Sequence, residues 1–555
     1  MNEINCTDLK RTYDFLEQER KSSLDSVLEV ITKFVVPFRG NFFTDTGSEN
    51  EVNWRNRDKF DDTAVQAAQI FSSSIQGSLT SPSFKWFNYI FKQDELNDDE
   101  VAMGWLQQCE EIVWQSLQDS DFNLEASEYY LDLVSYGTSF ISQEWDDKEG
   151  FDFTAIPIDD SYFAEDNKGR IAKFFRKRMW TPIQVVEKFG IENVSASMKE
   201  KYEDPVKSNI KEKVIFAIYK RDNITGQKDS ILTPEMRQYG YKYFTHDNME
   251  VLGEGGYYEM PIFVTRYRKV SGSKYGYSPS MVALSDILTL NEIVEATLEA
   301  LGKVVDPATI TTERGLISDL DLGRGGLTVV KDINDIKTHE SKARFDVGEV
   351  KIANLQYSIN KAFFVDQLQL KDSPQMTATE AQIRYELMQR LLGPTYGRLK
   401  EDFLDPVSTR SFWTLYREGR LPAMPENVRA LQAELGVSYT GPMARAQKSQ
   451  VIDSIDMWIT RLVGIAEAKP EVMDIPDFDA MTRGIAELSG VPMKYIKTKK
   501  VVEAERAARN EQAAIDRGIE RAQGVAAAGK DAAAMSAAGG SMDMAGMAQG
   551  AGDAQ

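Results

Sequence analysis

The chain has 555 residues, 42% of them hydrophobic and 27% charged, which is an ordinary globular composition with room for about two to four domains. Its 65 Lys and Arg against 86 Asp and Glu give a net charge of −21, which excludes a basic protein that coats nucleic acid. Cys6, Cys109, His246 and His339 are the only cysteines and histidines, too few for a disulfide framework, a zinc knuckle, haem ligation or a His-based catalytic triad.

The first stretch, 1–136, reads as helices joined by long loops. Leu16, Leu24, Val27, Leu28 and Ile31 recur at helical spacing up to Pro37. A second helix runs from Asp62 through Ala64, Ala67, Ala68 and Phe71 towards Ser81-Pro82, and a third follows Asn97-Asp98-Asp99 through Trp105, Cys109, Ile112, Val113 and Leu117. Cys109 falls on the apolar side of that helix, where a thiol serves as a small hydrophobe.

From Gly137 the pattern changes to short β-branched and aromatic runs, and 137–275 reads as an antiparallel β-rich region. Phe140 to Trp145, Phe151 to Ile158, Arg170 to Trp180, Val214 to Tyr219, Tyr241 to Phe244 and Ile262 to Tyr267 are the expected strands. Asp166-Asn167-Lys168-Gly169 is a hairpin turn between two of them, because Asn and Gly tolerate positive φ.

Ser278-Pro279 then opens a long helix, Ser as N-cap and Pro at the first helical position, where a missing N–H costs nothing. Leu284, Ile287, Leu288, Val294, Leu298 and Leu301 form an apolar stripe, and Glu292, Glu295 and Glu299 form an acidic one that reads as a solvated face. Asp306-Pro307 stops this helix. Ala308 to Thr312 and Leu327 to Val330, on either side of Gly323-Arg324-Gly325-Gly326, are expected strands of a small module, and a helix from about Asn354 to Leu370 brings the chain back.

Thr377-Ala378-Thr379-Glu380 is a capping box that starts the next helix. Ala381, Tyr385, Met388 and Leu392 make its apolar face, Gly393-Pro394 interrupts it, and Leu399, Phe403 and Val407 resume the period. Helices at Ala444 to Lys469 and Phe478 to Leu488 follow, and from about Gly524 the chain becomes an Ala, Gly and Met tract that cannot bury enough surface to order itself alone.

No GxxxxGK[ST] loop is present, so the phosphate cradle of an ATPase motor is missing, and Gly323-Arg324-Gly325-Gly326 reads as a plain tight turn. Asp61-Asp62, Asp98-Asp99, Asp159-Asp160 and the carboxylates from Asp474 to Asp479 could feed a two-metal nuclease, but adjacent residues point to different faces and such pairs more often cap helices or meet water. No catalytic residue, cofactor or metal is expected. With no run of about 18 apolar residues and no apolar segment at the N-terminus, a soluble intracellular chain without a membrane partner is expected. The acidic charge is explained by solubility, and it also suits a conduit through which DNA slides without being gripped.

Pro374-Gln375-Met376-Thr377-Ala378-Thr379-Glu380, followed by Arg390-Leu391-Leu392-Gly393-Pro394, Arg398-Leu399, Leu404-Asp405-Pro406-Val407 and Gly419-Arg420-Leu421-Pro422, resembles the portal, or head-to-tail connector, proteins of short-tailed bacteriophages. Tyr275-Gly276-Tyr277-Ser278-Pro279, Asp306-Pro307, Phe189-Gly190 after the β-region, Tyr439-Thr440-Gly441-Pro442, Asp477-Phe478-Asp479 and Gly490-Val491-Pro492 extend the likeness over roughly Asp62 to Arg509.

The resemblance implies an α+β, predominantly helical portal fold of wing, stem, clip and crown, twelve copies of which form a ring around a DNA channel at one capsid vertex. Residues 1–136, 137–275 and 377–423 would belong to the wing, 276–303 and 352–370 to the stem, 304–351 to the clip, 424–523 to the crown and 524–555 to a disordered tail. The tunnel loop would be 371–376, with Lys371, Asp372, Ser373, Pro374 and Gln375 facing double-stranded DNA, and Met376, Thr377, Thr379 and Glu380 would cap the helix behind it. Arg314, Asp319, Asp321 and Arg324 would dock the terminase motor and then the tail adaptor. The major capsid and scaffolding proteins would be further partners, and the virion the site of residence. Another virion protein, such as a tail adaptor or scaffold, and a metal-dependent DNA-processing enzyme remain as alternatives.

Overall fold

The computed structural model describes residues 4–39, 59–97, 99–221, 232–305, 309–311, 336–338, 345–368, 393, 395–430, 434–440, 442–466, 469–488, 497, 501–513 and 515. The N-terminal apolar repeat folds as two helices, α1 (Cys6–Ser23) and α2 (Asp25–Phe34), because Leu24 leaves helical geometry between them. Helix α3 (Thr63–Leu79) is followed by a strand that the helical reading of this region missed, β1 (Phe87–Phe91), whose alternate residues are buried. Helix α4 (Glu100–Gln118) starts as expected, with Asp99 accepting from the Val101 amide at 2.9 Å, and buries Cys109. Helix α5 (Phe122–Tyr136) ends at Gly137, whose φ of 78° is the left-handed geometry that closes many helices.

The β-rich region is two sheets. One is three-stranded, with β2 (Thr138–Asp146) between β3 (Gly150–Ile156) and β9 (Ile262–Arg266). The outward amides of edge strand β3 are met by carboxylates from α5 and the residue before it: Phe153 donates to Asp121 at 3.0 Å and Ala155 to Glu125 at 2.6 Å. That leaves these edge donors satisfied within the fold. The other sheet is an antiparallel meander of β4 (Ser161–Glu165), β5 (Ile171–Trp180), β6 (Glu212–Lys220), β7 (Tyr239–Thr245) and β8 (Val251–Tyr257). Strands β4 and β8 were not expected: β4 is only five residues long, and Gly253, Gly255 and Gly256 dilute the apolar signal of β8. The Asp166 to Gly169 turn therefore joins β4 to β5 rather than the strand before β4, and Gly169 takes the positive φ, 75°. Phe189-Gly190 lies inside the β-region, not after it: it ends α6 (Pro182–Phe189), a helix between β5 and β6 opened by a Thr181/Gln184 capping box.

Helix α7 (Ala196–Glu203) completes that crossover, and α8 (Pro279–Val305) is the long helix. Strand β10 (Thr309–Thr311) is where it was expected, but its antiparallel partner is β11 (Ile336–Thr338); Leu327 to Val330 lie outside the described residues. The return helix α9 (Phe345–Ala362) begins well before Asn354 and stops at Phe363-Phe364, where Phe364 adopts a φ of 58°.

After residue 395 the chain is helical into α10 (Asp405–Arg417) through a π-helical stretch at Lys400–Leu404, and Leu399, Phe403 and Val407 are buried on the predicted period. Strand β12 (Leu435–Tyr439), also unexpected, pairs antiparallel with β1. Helices α11 (Pro442–Ala466) and α12 (Phe478–Leu488) follow, and 501–513 are also helical.

The main core joins α3, α4, α5, the three-stranded sheet, α9 and α10, with Phe403 packed on Tyr129 at a ring separation of 4.4 Å and Tyr89 donating to the Ser408 carbonyl at 2.7 Å. A second core lies between α1 and the five-stranded sheet, where Leu9, Tyr13 and Leu16 meet Tyr162, Phe175, Ala217 and Phe244. Arg20 anchors α1 there: it pairs with Asp25 at 2.7 Å and donates to the Ser161 carbonyl at 2.9 Å, the Asp159 carbonyl at 3.0 Å and the Tyr162 hydroxyl at 2.9 Å.

Candidate functional site

The feature that projects from this body is the antiparallel pair α8 and α9 with the β10/β11 ribbon beyond it. At 1.5 Å per residue the 27 residues of α8 make a rod of about 40 Å. Its root is fixed by local chemistry. The Ser278 hydroxyl accepts from the Met281 amide at 3.0 Å, capping the helix as its sequence predicts, and donates to the Ser135 carbonyl at 2.8 Å. Thr138 accepts from the Gly276 amide at 2.8 Å. Gly137 and Gly276 touch so closely that a Cβ on either would sit 2.6 Å and 2.0 Å from the other's carbonyl oxygen, so both ends of the β-region meet at a point where only glycine fits.

Near the root, Ala283, Ile287, Leu290 and Asn291 are buried, and Asn291 accepts from the Phe60 amide at 2.8 Å. Ser358 of α9 donates to Asp286 of α8 at 2.6 Å, tying the two helices together, and Gln356 donates at 2.9 Å to Asp61 just ahead of α3. Further out the same apolar stripe loses its cover: Leu298 is 50% exposed, Leu301 48% and Val305 77%. Leu288, expected within the stripe, is also exposed. Glu292, Glu295 and Glu299 are exposed, as a solvated face requires.

The carboxylate pairs do structural work. Asp61 accepts from the Thr63 amide, Asp62 pairs with Lys59, Asp99 caps α4, and Asp477 accepts from the Asp479 and Ala480 amides. Asp159 and Asp160 differ from the expected helix caps in that they are half-buried; burial and the Asp160 charge push Asp159 up to about 7. Among the described residues no three His, Cys, Asp or Glu converge as metal ligands, and no helix is long and apolar enough to cross a membrane. Cys109 is buried, and burial raises its thiol to about 12, the state of a packing residue.

The sequence-predicted site residues Lys371, Asp372, Ser373, Pro374, Gln375, Met376, Thr377, Thr379 and Glu380, and likewise Arg314, Asp319, Asp321 and Arg324, lie outside the described residues. What sequence reasoning missed is the Gly137 and Gly276 root; its only trace is a glycine at each border of the β-region.

The model of a family described as bacteriophage head to tail connecting protein matches residues 7–496. The chain belongs to that family. This connector is 25% identical over 503 residues to the probable portal protein of Bordetella phage BPP-1, with 87% of each chain covered. It is 26% identical over 510 residues to the portal protein of Salmonella phage epsilon15, with 90% of each covered. A chain from the virion of a native gene transfer agent particle is 10% identical at a TM-score of 0.35, covering 77% of the connector and 94% of that chain.

Proposed function

We propose that this connector is a portal protein: copies of it form a ring at one capsid vertex, through which double-stranded DNA is packaged and later ejected. The observation that carries the proposal is the family match across 7–496, joined to two relatives named portal proteins that align over nearly their whole length. Twelve copies are the expected number. In this reading α8 and α9 are the stem and the chain between them, 306–344, is the clip, with Arg314, Asp319, Asp321 and Arg324 facing the terminase motor and then the tail adaptor. Residues 371–376 are the tunnel loop beside the DNA, the sheets and α3 to α5 lie in the wing, and α11 and α12 lie in the crown.

The uncovered outer stripe of α8 supports this reading, because an apolar strip on a projecting rod is buried when a second copy packs alongside. A net charge of −21 per copy suits a channel that does not hold its cargo. The portal acts as a passive conduit, with hydrolysis supplied by the motor. Cryo-electron microscopy of the purified protein tests the proposal: rings with a central hole wide enough for a duplex are expected, and a solely monomeric or dimeric species at micromolar concentration across salt conditions would refute it.

A further inference from the structure

The two faces of the five-stranded sheet are unlike. Helix α1 covers one, while on the other Arg176, Arg178 and Trp180 follow one another at every second position of β5. Across the sheet Phe216 stacks on Tyr243 at 4.3 Å, and Trp180 lies against Tyr243 at 6.3 Å, the two pairs at interplanar angles of 19° and 17°. Lys188 of α6 holds its ammonium 5.3 Å from the Trp180 ring and 5.1 Å from the Tyr243 ring, and the Arg178 guanidinium stands 5.5 Å from Trp180. Two cations thus sit on an aromatic platform, with Arg176 two residues before Arg178 on the same face of β5.

Arg176, at the floor, is 9% exposed and its buried Nε has no hydrogen-bond partner. Arg20 shows how this fold treats a buried guanidinium when it satisfies one internally, with a carboxylate and a ring of oxygens. Among the described residues nothing comparable meets Arg176. Glu144, Asp152 and Asp160 act on the cluster from a distance, but among the described residues none forms an ion pair with Arg176, Arg178 or Lys188. Burial and the neighbouring Arg178 pull Arg176 down to about 10, so at neutral pH it remains a cation without a counter-charge in contact. Buried charges in folded proteins are paired, and a planar guanidinium selects two-oxygen anions.

We propose that Arg176, Arg178 and Lys188 form an oxyanion site on the face of the sheet opposite α1, beside the part of that face packed into the main core, taking one phosphate or carboxylate group. The inference does not depend on the portal reading. Melting temperatures of the full chain in sodium chloride, sodium phosphate and sodium acetate at matched ionic strength test it. Wild type should melt several degrees higher in an oxyanion than in chloride, with the half-effect in the millimolar range; a rise in phosphate alone assigns phosphate, and a rise in acetate assigns a carboxylate, the group an acidic side chain would supply. Lys188→Gln, at an exposed position, should melt like wild type in chloride and lose at least half of the oxyanion increment. Arg176→Met should melt higher than wild type in chloride and lose the increment altogether. Equal melting of wild type in all three salts would overturn the proposal. So would an undiminished increment in both variants, which is general salt stabilisation, or a lower melting temperature of Arg176→Met in chloride, which would place Arg176 in an internal network.

Discussion

Gly137 and Gly419 both end helices at positive φ, 78° and 68°, yet only Gly137 is pressed against another chain segment. Alanine at Gly419 meets nothing within 4 Å and should cost about 1 kcal/mol for its φ alone, whereas alanine at Gly137 must also displace the Gly276 carbonyl and should cost about 3 kcal/mol or more. Urea unfolding of both variants checks the difference. Asp132 offers a second test. Burial raises it to about 6 even though Arg39 pairs with it at 2.9 Å. An unfolded Asp ionises near 3.9, so between about pH 4 and pH 6 the unfolded chain releases this proton while the folded chain keeps it, and stability falls as pH rises. Across that window the wild type should lose about 2 to 3 kcal/mol that Asp132→Asn does not lose, and unfolding at pH 4 and pH 7 measures it.

Helix α8 behaves as two halves that one sequence pattern cannot distinguish. Ile287→Ala, near the root, should cost the subunit about 2 to 4 kcal/mol by leaving a cavity. Leu298→Asp with Leu301→Asp, on the uncovered outer half, should change the stability of the unassembled subunit by less than about 0.5 kcal/mol yet abolish ring assembly, as native mass spectrometry would show. The division exposes what was legible. Ser278-Pro279, the period of Leu399, Phe403 and Val407, and the bounds of α12 were readable because caps and helical repeats are local. Strands β1 and β12 were not, since each is five residues long and finds its partner in a distant part of the chain. The early start of α9 at Phe345 was equally hidden, because Arg344 directly before it is no capping residue and Gly348 weakens the helical signal. The tunnel-loop and clip residues came from family likeness alone, a motif being readable where its placement is not.

For the molecule as a whole, the portal reading predicts a ring that is inert by itself. Native mass spectrometry should show ten or more copies, typically twelve. The ring should hydrolyse neither ATP nor DNA, because the sequence carries no phosphate cradle and Asp61, Asp62, Asp99 and Asp477 are engaged in capping and pairing. Magnesium-dependent turnover that co-purifies with the ring and disappears when Asp98 and Asp99 are replaced would reverse that expectation. Substituting a short Gly/Ser linker for 306–344 should preserve rings and remove adaptor binding.

The ribbon of β1 and β12 also sets a clock. Phe91 and Leu435 are joined across roughly 340 residues, which a ribosome adding about 5 to 20 residues per second needs about 20 to 70 s to make. During that interval β1 has been synthesised but has no strand to pair with, and the surface that Tyr89 and Phe412 share, with rings 5.2 Å apart, is incomplete. A nascent or truncated chain therefore lacks the finished body on which a neighbour would pack. In the portal reading, completion of translation becomes the checkpoint for joining a ring in which one defective copy would spoil the whole.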